Sequence, residues 1–302
     1  MNYIRKTAFG YSTKCNIKCG HCVAANADET NSKMEFSRAA GIIDEMSAAN
    51  VRAISFTAGE PLLFLNDMLA LIRLCHKNRI YSRVVSNGFW AKSPDKADKI
   101  ISELKISGLS QLRLSCSRWH QAHISRSHIL AAAESCKKFG LDYFISFVTD
   151  FSDEDDQFED FFHDHQLKYF PEPLLYFGRA GNINRPRVFT DYPPHRCDIN
   201  PYLTPDLDMY ACCDAGNRFD TTDFFYLGSL NDHSVDQLFK KYEQHPLFAL
   251  IKTMGLSAIA SYSGLKSSEI VKYRKCELCE KLFNSRKTLK YLKTAAESDL
   301  MR

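Results

Sequence analysis

The sequence predicts an α/β protein built on a parallel sheet. Short β-rich runs alternate with helix-like stretches from residue 3 to about residue 177, several of those stretches open on a Ser or Asp cap, and successive strands close on small polar residues. In order, the candidate strands are Tyr3–Tyr11, Val51–Thr57, Tyr81–Ser86, Gln111–Cys116, Leu141–Val148 and Lys168–Tyr176, most of them rich in β-branched or aromatic residues. Between them lie helix-like segments at 37–50, 63–78, 94–108, 124–139 and 153–165, with Ser93 and Ser152 as expected caps. The acidic run Asp153 to Asp156 reads as a solvated first turn, where negative charge favours the helix dipole. Strand-helix alternation of this kind allows an open doubly wound sheet or a curled partial barrel. Either one gathers ligands at the C-terminal strand ends.

Bulk properties narrow the function. A net charge of +3 with 25% charged residues, and no basic run interleaved with aromatics, argues against nucleic-acid binding. No export signal or membrane-length apolar stretch is present, so a cytoplasmic protein with no membrane partner is expected. Eleven cysteines in such a chain favour metal binding over disulfides. Residues 178–196, rich in Gly, Asn and Pro, read as a linker after the last strand. A second region follows with Cys197, Cys212, Cys213, Cys276 and Cys279, and a Lys-rich, helix-prone tail begins at Lys281.

The first cysteine group is the stretch Cys15-Asn-Ile-Lys-Cys19-Gly-His-Cys22, just after the first strand. Closed zinc sites and ordinary iron–sulfur clusters take four protein ligands, so three thiolates point to a cluster with one open iron. A zinc knuckle completed by His21 or a distant cysteine is the competing reading. The second strand ends in Thr57-Ala58-Gly59-Glu60-Pro61, where glycine admits close approach of a ligand and the carboxylate can receive an ammonium group. Ser86-Asn87-Gly88 closes the third strand and Ser115 the fourth. These polar ends face the cluster loop as a ligand-binding rim.

With these motifs, residues 5 to about 180 resemble the radical S-adenosylmethionine (radical SAM) superfamily. The resemblance implies a partial (β/α)6 TIM barrel. It implies a SAM-binding [4Fe-4S] cluster on Cys15, Cys19 and Cys22, with SAM chelating the open iron and yielding a 5′-deoxyadenosyl radical that abstracts a hydrogen atom. Carried over by position, Gly59 and Glu60 meet the SAM amino group, Asn87 and Ser115 its ribose or carboxylate, and His21 its adenine. Arg179 is a candidate partner for the carboxylate, or alternatively a cap on the sheet end. Ala58 departs from the usual glycine, an exchange tolerated if the backbone angle suits a non-glycine residue.

The second region resembles the auxiliary-cluster extension called SPASM or, in its short form, Twitch. Its markers are Cys197, Pro205 through Cys213, Leu227-Gly228-Ser229-Leu230 and Cys276-Glu-Leu-Cys279. The short form implies one auxiliary [4Fe-4S] cluster on Cys197, Cys212, Cys276 and Cys279, with Cys213 the less favoured ligand at its position and a four-cysteine zinc site as the alternative. The domains expected are 1–180 for the barrel, 181–196 for the linker, 197–285 for the auxiliary domain and 286–302 for a helical tail. Among the remaining cysteines, Cys75 and Cys136 read as buried small hydrophobes. Cys116 and Cys213 are candidates to return a hydrogen atom to a substrate radical, with simple packing as the alternative. His120, in Ser115-Cys-Ser-Arg-Trp-His120, is a candidate proton acceptor or substrate contact, or a packed helix-start residue.

These readings predict a radical SAM enzyme acting on an unactivated carbon, with an electron donor such as flavodoxin or ferredoxin. The leading substrate is a ribosomally made peptide, modified by epimerisation or cross-linking. Dehydrogenation or epimerisation of a small molecule such as an aminocyclitol or sugar stands beside it, mildly favoured by the mere fourteen residues ahead of Cys15. A non-catalytic iron–sulfur or zinc protein is the third reading.

Overall fold

The computed structural model describes residues 4–23, 31–183, 197–213 and 223–297. Six strands, β1 (Arg5–Gly10), β2 (Val51–Thr57), β3 (Tyr81–Ser86), β4 (Gln111–Cys116), β5 (Asp142–Thr149) and β6 (Tyr169–Pro173), pair in parallel with their sequence neighbours. The sheet runs β6-β5-β4-β3-β2-β1 without reversal. A doubly wound sheet reverses its order at a switch point, whereas singly wound right-handed βα units curl the same way each time and give a partial barrel. The curled arrangement is therefore the one the chain adopts. The helices α1 (Phe36–Ala48), α2 (Leu65–Lys77), α3 (Pro94–Ile106), α4 (Arg118–Gln121), α5 (Arg126–Phe139) and α6 (Asp156–Asp164) fill the crossovers.

Strand alternation sets the two faces. Leu112, Leu114 and Cys116 of β4 are buried in the core that the strands share with helix residues such as Ile101, Ile129 and Ala133. The intervening Arg113 and Ser115 stand on the concave face, where Arg113 pairs with Glu172 across β5 and donates to Ser146 Oγ at 2.7 Å. Small offsets separate prediction from structure at the ends. β1 and β6 are shorter than expected, and β6 carries Pro171 and Pro173, residues that an edge strand tolerates because one side needs no donors. Position 3 and residues 184–196 of the expected linker lie outside the described residues. Ser93 does cap α3, accepting from the Lys96 N–H. Ser152 does not cap; its hydroxyl accepts instead from Arg118 at 2.7 Å. The short helix α4, which no periodicity announces in four residues, was not expected.

Strands β7 (Tyr202–Leu203), β8 (Asp208–Tyr210) and β9 (Tyr226–Ser229) extend the same sheet beyond β1, β7 in parallel and the other two antiparallel. Six helices follow: α7 (Val235–Gln244), α8 (Pro246–Thr253), α9 (Leu256–Tyr262), α10 (Ser267–Ile270), α11 (Lys275–Phe283) and α12 (Arg286–Glu297). Arg5 of β1 ties α7 down through Asp236 at 2.6 Å and Glu243 at 2.7 Å. At the other edge, fully buried Arg274 donates to the Leu174 carbonyl beyond β6 and lies 5.1 Å over the Tyr176 ring. The C-terminal region thus holds both margins of the six-stranded sheet. No helix among the described residues is long and apolar enough to cross a membrane.

Candidate active site

The loop carrying Cys15, Cys19 and Cys22 leaves the end of β1 and is held by its neighbours at several points. Ser12 Oγ donates to the Ser32 carbonyl at 2.8 Å, and the Glu60 N–H donates to the Lys14 carbonyl at 2.8 Å. Gly59 sits with φ +54 beneath this stretch, where a Cβ would collide with the Lys14 carbonyl and come within 2.8 Å of the Ser12 carbonyl. Only glycine fits that approach. On the far side, Gly178 at φ +55 leaves room for the Cys22 carbonyl, which a Cβ would meet at 2.5 Å. Arg179 then clamps the loop, its backbone N–H on the Cys22 carbonyl at 3.2 Å and its Nε on the Cys19 carbonyl at 2.8 Å. His123 reaches the Lys18 carbonyl at 3.1 Å.

Ala58 has φ +66, so the condition for painless exchange of glycine is not met. A left-handed alanine costs roughly 1–2 kcal/mol, a strain held in place by the loop above it.

Glu60 is 2% exposed and is held by groups of the chain itself. Its carboxylate accepts from the Leu62 N–H at 3.0 Å, Ser86 Oγ at 2.9 Å and the Asn87 N–H at 2.7 Å. Burial pushes its pKa up to about 7, and those donors pull the other way. The side chain stitches the end of β2 to the end of β3, and three of its acceptor positions are already spent within the chain. Trp90 Nε1 donates to the same Ser86 Oγ at 2.9 Å and extends the network. Asn87 faces the cluster loop, donating to Asn16 Oδ1 at 3.0 Å with its Nδ2 about 4.0 Å from Cys15 Sγ. Ser115 lies half-buried on the concave face of β4.

Two further residues are buried, which is the packed alternative for each. Cys116 is 0% exposed, shares the parity of Leu112 and Leu114, and faces the helix layer, away from the concave side; burial raises its thiol to about 12. The β4 alternation thus makes it a core residue and leaves it no route to a substrate radical. His120 is buried at the start of α4, its Nδ1 2.7 Å from Ser117 Oγ and its ring 4.5 Å from that of His21 in an edge-to-face contact. Burial, then the charges of His21 and His123, hold it well below the usual imidazole range. His21 is likewise lowered to about 4, by burial and then by Arg179, and its ring packs 5.2 Å from that of Trp119. Both imidazoles are neutral at physiological pH.

The three thiols suit an iron–sulfur cluster as a donor set. Cys19 is raised to about 12 first by burial and then by the neighbouring Cys22 and Cys15, a mutual repulsion that a cationic cluster relieves. All three stand on one loop at the C-terminal end of the sheet.

Of the second set, Cys276 and Cys279 lie three residues apart on α11 and so share a face. Cys197, Cys212 and Cys279 pack against the core, whereas Cys213 is exposed. Sequence reasoning missed Gly178, Ser86 and His123 as supports of the loop. Gly178 alone carried a legible signal, a glycine beside the polar turn after the last strand.

Known proteins share this fold. The "Putative peptide biosynthesis protein YydG" of Bacillus subtilis (strain 168) is 24% identical over 141 residues, a stretch covering 45% of this chain and 43% of that protein. Less than half the length of that relative is therefore matched. The solved structure of anSMEcpe with bound AdoMet and Cp18Cys peptide superposes with a TM-score of 0.59 at 15% identity, covering 97% of this chain and 99% of the other. BtrN in complex with AdoMet and 2-DOIA gives 0.53 at 14% identity, over 85% and 90% of the two chains. At these identities the superpositions speak for the fold. The radical SAM superfamily model matches residues 10–165, which span the cluster loop, the Gly59-Glu60 turn and the strand ends around it, and the chain belongs to the radical SAM superfamily, whose cofactors are SAM and a [4Fe-4S] cluster.

Proposed function

We propose that this enzyme modifies an unactivated carbon of a ribosomally made peptide, by epimerisation or cross-linking, and that in epimerisation the exposed thiol of Cys213 completes the reaction. The observation that carries this reading is the placement of Cys213 outside the core, beside its packed neighbour Cys212. Burial, and then the nearness of the Cys213 sulfur, raise the Tyr202 hydroxyl, which lies 2.7 Å from where a Cβ would stand on Gly10, the last residue of the strand that leads into the cluster loop. The name of YydG and the peptide in the anSMEcpe structure support a peptide over a small molecule.

Bound SAM and cluster supply a 5′-deoxyadenosyl radical, the species that removes a hydrogen atom from the substrate. Cys15, Cys19 and Cys22 would hold the cluster. Gly59 and Glu60 would meet the SAM amino group, Asn87 and Ser115 its ribose or carboxylate, and Arg179 its carboxylate, while Gly178 and the Glu60 and Arg179 hydrogen bonds within the chain fix the loop that presents it. His21, sandwiched against Trp119 and His120, would form the wall toward the adenine. Trp119 and the neutral histidines keep water from that side of the loop. In the epimerisation reading, the Cys213 S–H bond breaks as a C–H bond forms on the opposite face of the substrate carbon. The sulfur is left one electron and one proton short, and an electron donor of the flavodoxin or ferredoxin class together with solvent restores it. Cys197, Cys212, Cys276 and Cys279 would hold an auxiliary [4Fe-4S] cluster beside it, in a domain spanning 197–285 between the 181–196 linker and the 286–302 tail. A cytoplasmic setting accords with both the thiols and the donor.

The test is anaerobic turnover in deuterated water with a peptide encoded beside the gene. Product with one solvent-derived deuterium at an α-carbon, lost in Cys213→Ala while 5′-deoxyadenosine still forms, supports the reading. Unchanged product from Cys213→Ala refutes the thiol's role, and turnover of an aminocyclitol in place of the peptide refutes the substrate.

A further inference from the structure

Cys19, His21 and His120 bring their ligating atoms within 4.8 Å of one another in a buried position behind the cluster loop. Three features prepare this point for a metal. Ser117 Oγ lies 2.7 Å from His120 Nδ1; in the tautomer in which Nδ1–H donates to it, the ring is oriented and Nε2 keeps its lone pair for a metal, as an outer hydrogen-bond partner does for a ligating histidine. His21 Nδ1 is buried with no hydrogen-bond partner among the described residues, a costly condition for a ring nitrogen. The two rings meet edge to face at 4.5 Å, so both stay in place without a ligand.

We propose that the cluster-free chain binds one late first-row divalent cation, zinc by default, through Cys19 Sγ and one ring nitrogen each of His21 and His120, with water in the fourth position. A mixed sulfur and imidazole set suits such an ion, and tetrahedral zinc bonds of about 2.0–2.3 Å bring ligands to within roughly 3.5 Å of each other. Small side-chain rotations supply that contraction. On binding, the Cys19 thiol releases its proton to solvent and both imidazoles enter neutral. Because Cys19 cannot ligate this ion and the iron–sulfur cluster at once, the two occupants exclude each other. Cluster assembly must then displace the ion, and excess zinc holds the enzyme in an inactive form.

The experiment uses the full chain stripped of iron and titrated anaerobically with Co2+ as the probe. The parent is Cys15→Ala, which cannot build the SAM cluster but keeps all three proposed ligands. Adding His120→Phe, or separately His120→Gln, should remove one tightly bound Co2+ per chain and with it the tetrahedral sulfur–nitrogen absorption, and zinc should displace that Co2+ from the parent. Equal stoichiometry and spectra in folded parent and double variants would overturn the site. Should the double variants not fold, the unsubstituted Co2+ chain must show two hyperfine-shifted imidazole N–H proton resonances; their absence overturns it equally. SAM cleavage by the reconstituted unsubstituted chain tests the radical reading separately, so the two can fail independently.

Discussion

Single positions around the loop show how little slack the site has. Gly59→Ala places a methyl group against the Lys14 and Ser12 carbonyls, on a backbone already at φ +54, and neither obstacle is a flexible side chain. Its reconstituted chain should bind less than half the iron of the unsubstituted loop and lose SAM cleavage, as read by iron analysis and 5′-deoxyadenosine assay. Ala58→Gly makes the opposite experiment. Relieving φ +66 should stabilise the chain by about 1 kcal/mol in denaturant unfolding, with SAM cleavage retained. The motif itself was legible from the sequence at both positions. The left-handed turn at Ala58 was not, because a positive φ at alanine is imposed by the loop packed above it and leaves no mark on composition.

Elements are joined at their ends by side chains whose partners are far away in sequence. Glu60 is the clearest case, linking β2 to β3 through Ser86 and the Asn87 N–H. Its folded pKa, about 7, stands above the ordinary carboxylate value, so between about 4.5 and 7 the folded chain binds more protons than the unfolded one. Stability conferred by protonated Glu60 is full below that window and declines as pH rises through it. Measured against Glu60→Gln in the iron-free chain, the unsubstituted protein should lose on the order of 3 kcal/mol of relative stability from pH 4.5 to 7; a flat difference would show that the carboxyl titrates normally. At the other end of the loop, Gly178→Ala pushes a Cβ to 2.5 Å from the Cys22 carbonyl. Iron should then pass from this loop to a chelator several-fold faster than from the unsubstituted enzyme, with any iron of the proposed auxiliary cluster unaffected.

Across the whole molecule, the C-terminal region behaves as a brace between the two margins of the barrel, through β7 and Arg5 at one side and Arg274 at the other. Arg274→Ala removes a buried charge-assisted hydrogen bond and the contact with Tyr176, and should lower stability by about 2 kcal/mol in thermal or denaturant unfolding. If the proposed auxiliary cluster is filled as well as the SAM-binding one, about eight irons per chain are expected. Replacing Cys15, Cys19 and Cys22 together with Ala should halve that number and abolish SAM cleavage, whereas a chain that keeps cleavage would refute the assignment of the triad.

Periodicity and turn residues in the sequence determined the strand-helix alternation, the bounds of β2, β3 and β4, and the position of Cys15, Cys19 and Cys22 at a strand end, since these depend on neighbours in the chain. The tertiary structure alone decided which way the sheet winds, and it turned Cys116 to the helix side. It also spent the Glu60 carboxylate on Ser86 and Asn87 and brought His120 against His21. Each of these is a contact between residues distant in sequence, fixed by how the packed layers meet and by which buried polar groups must find partners there.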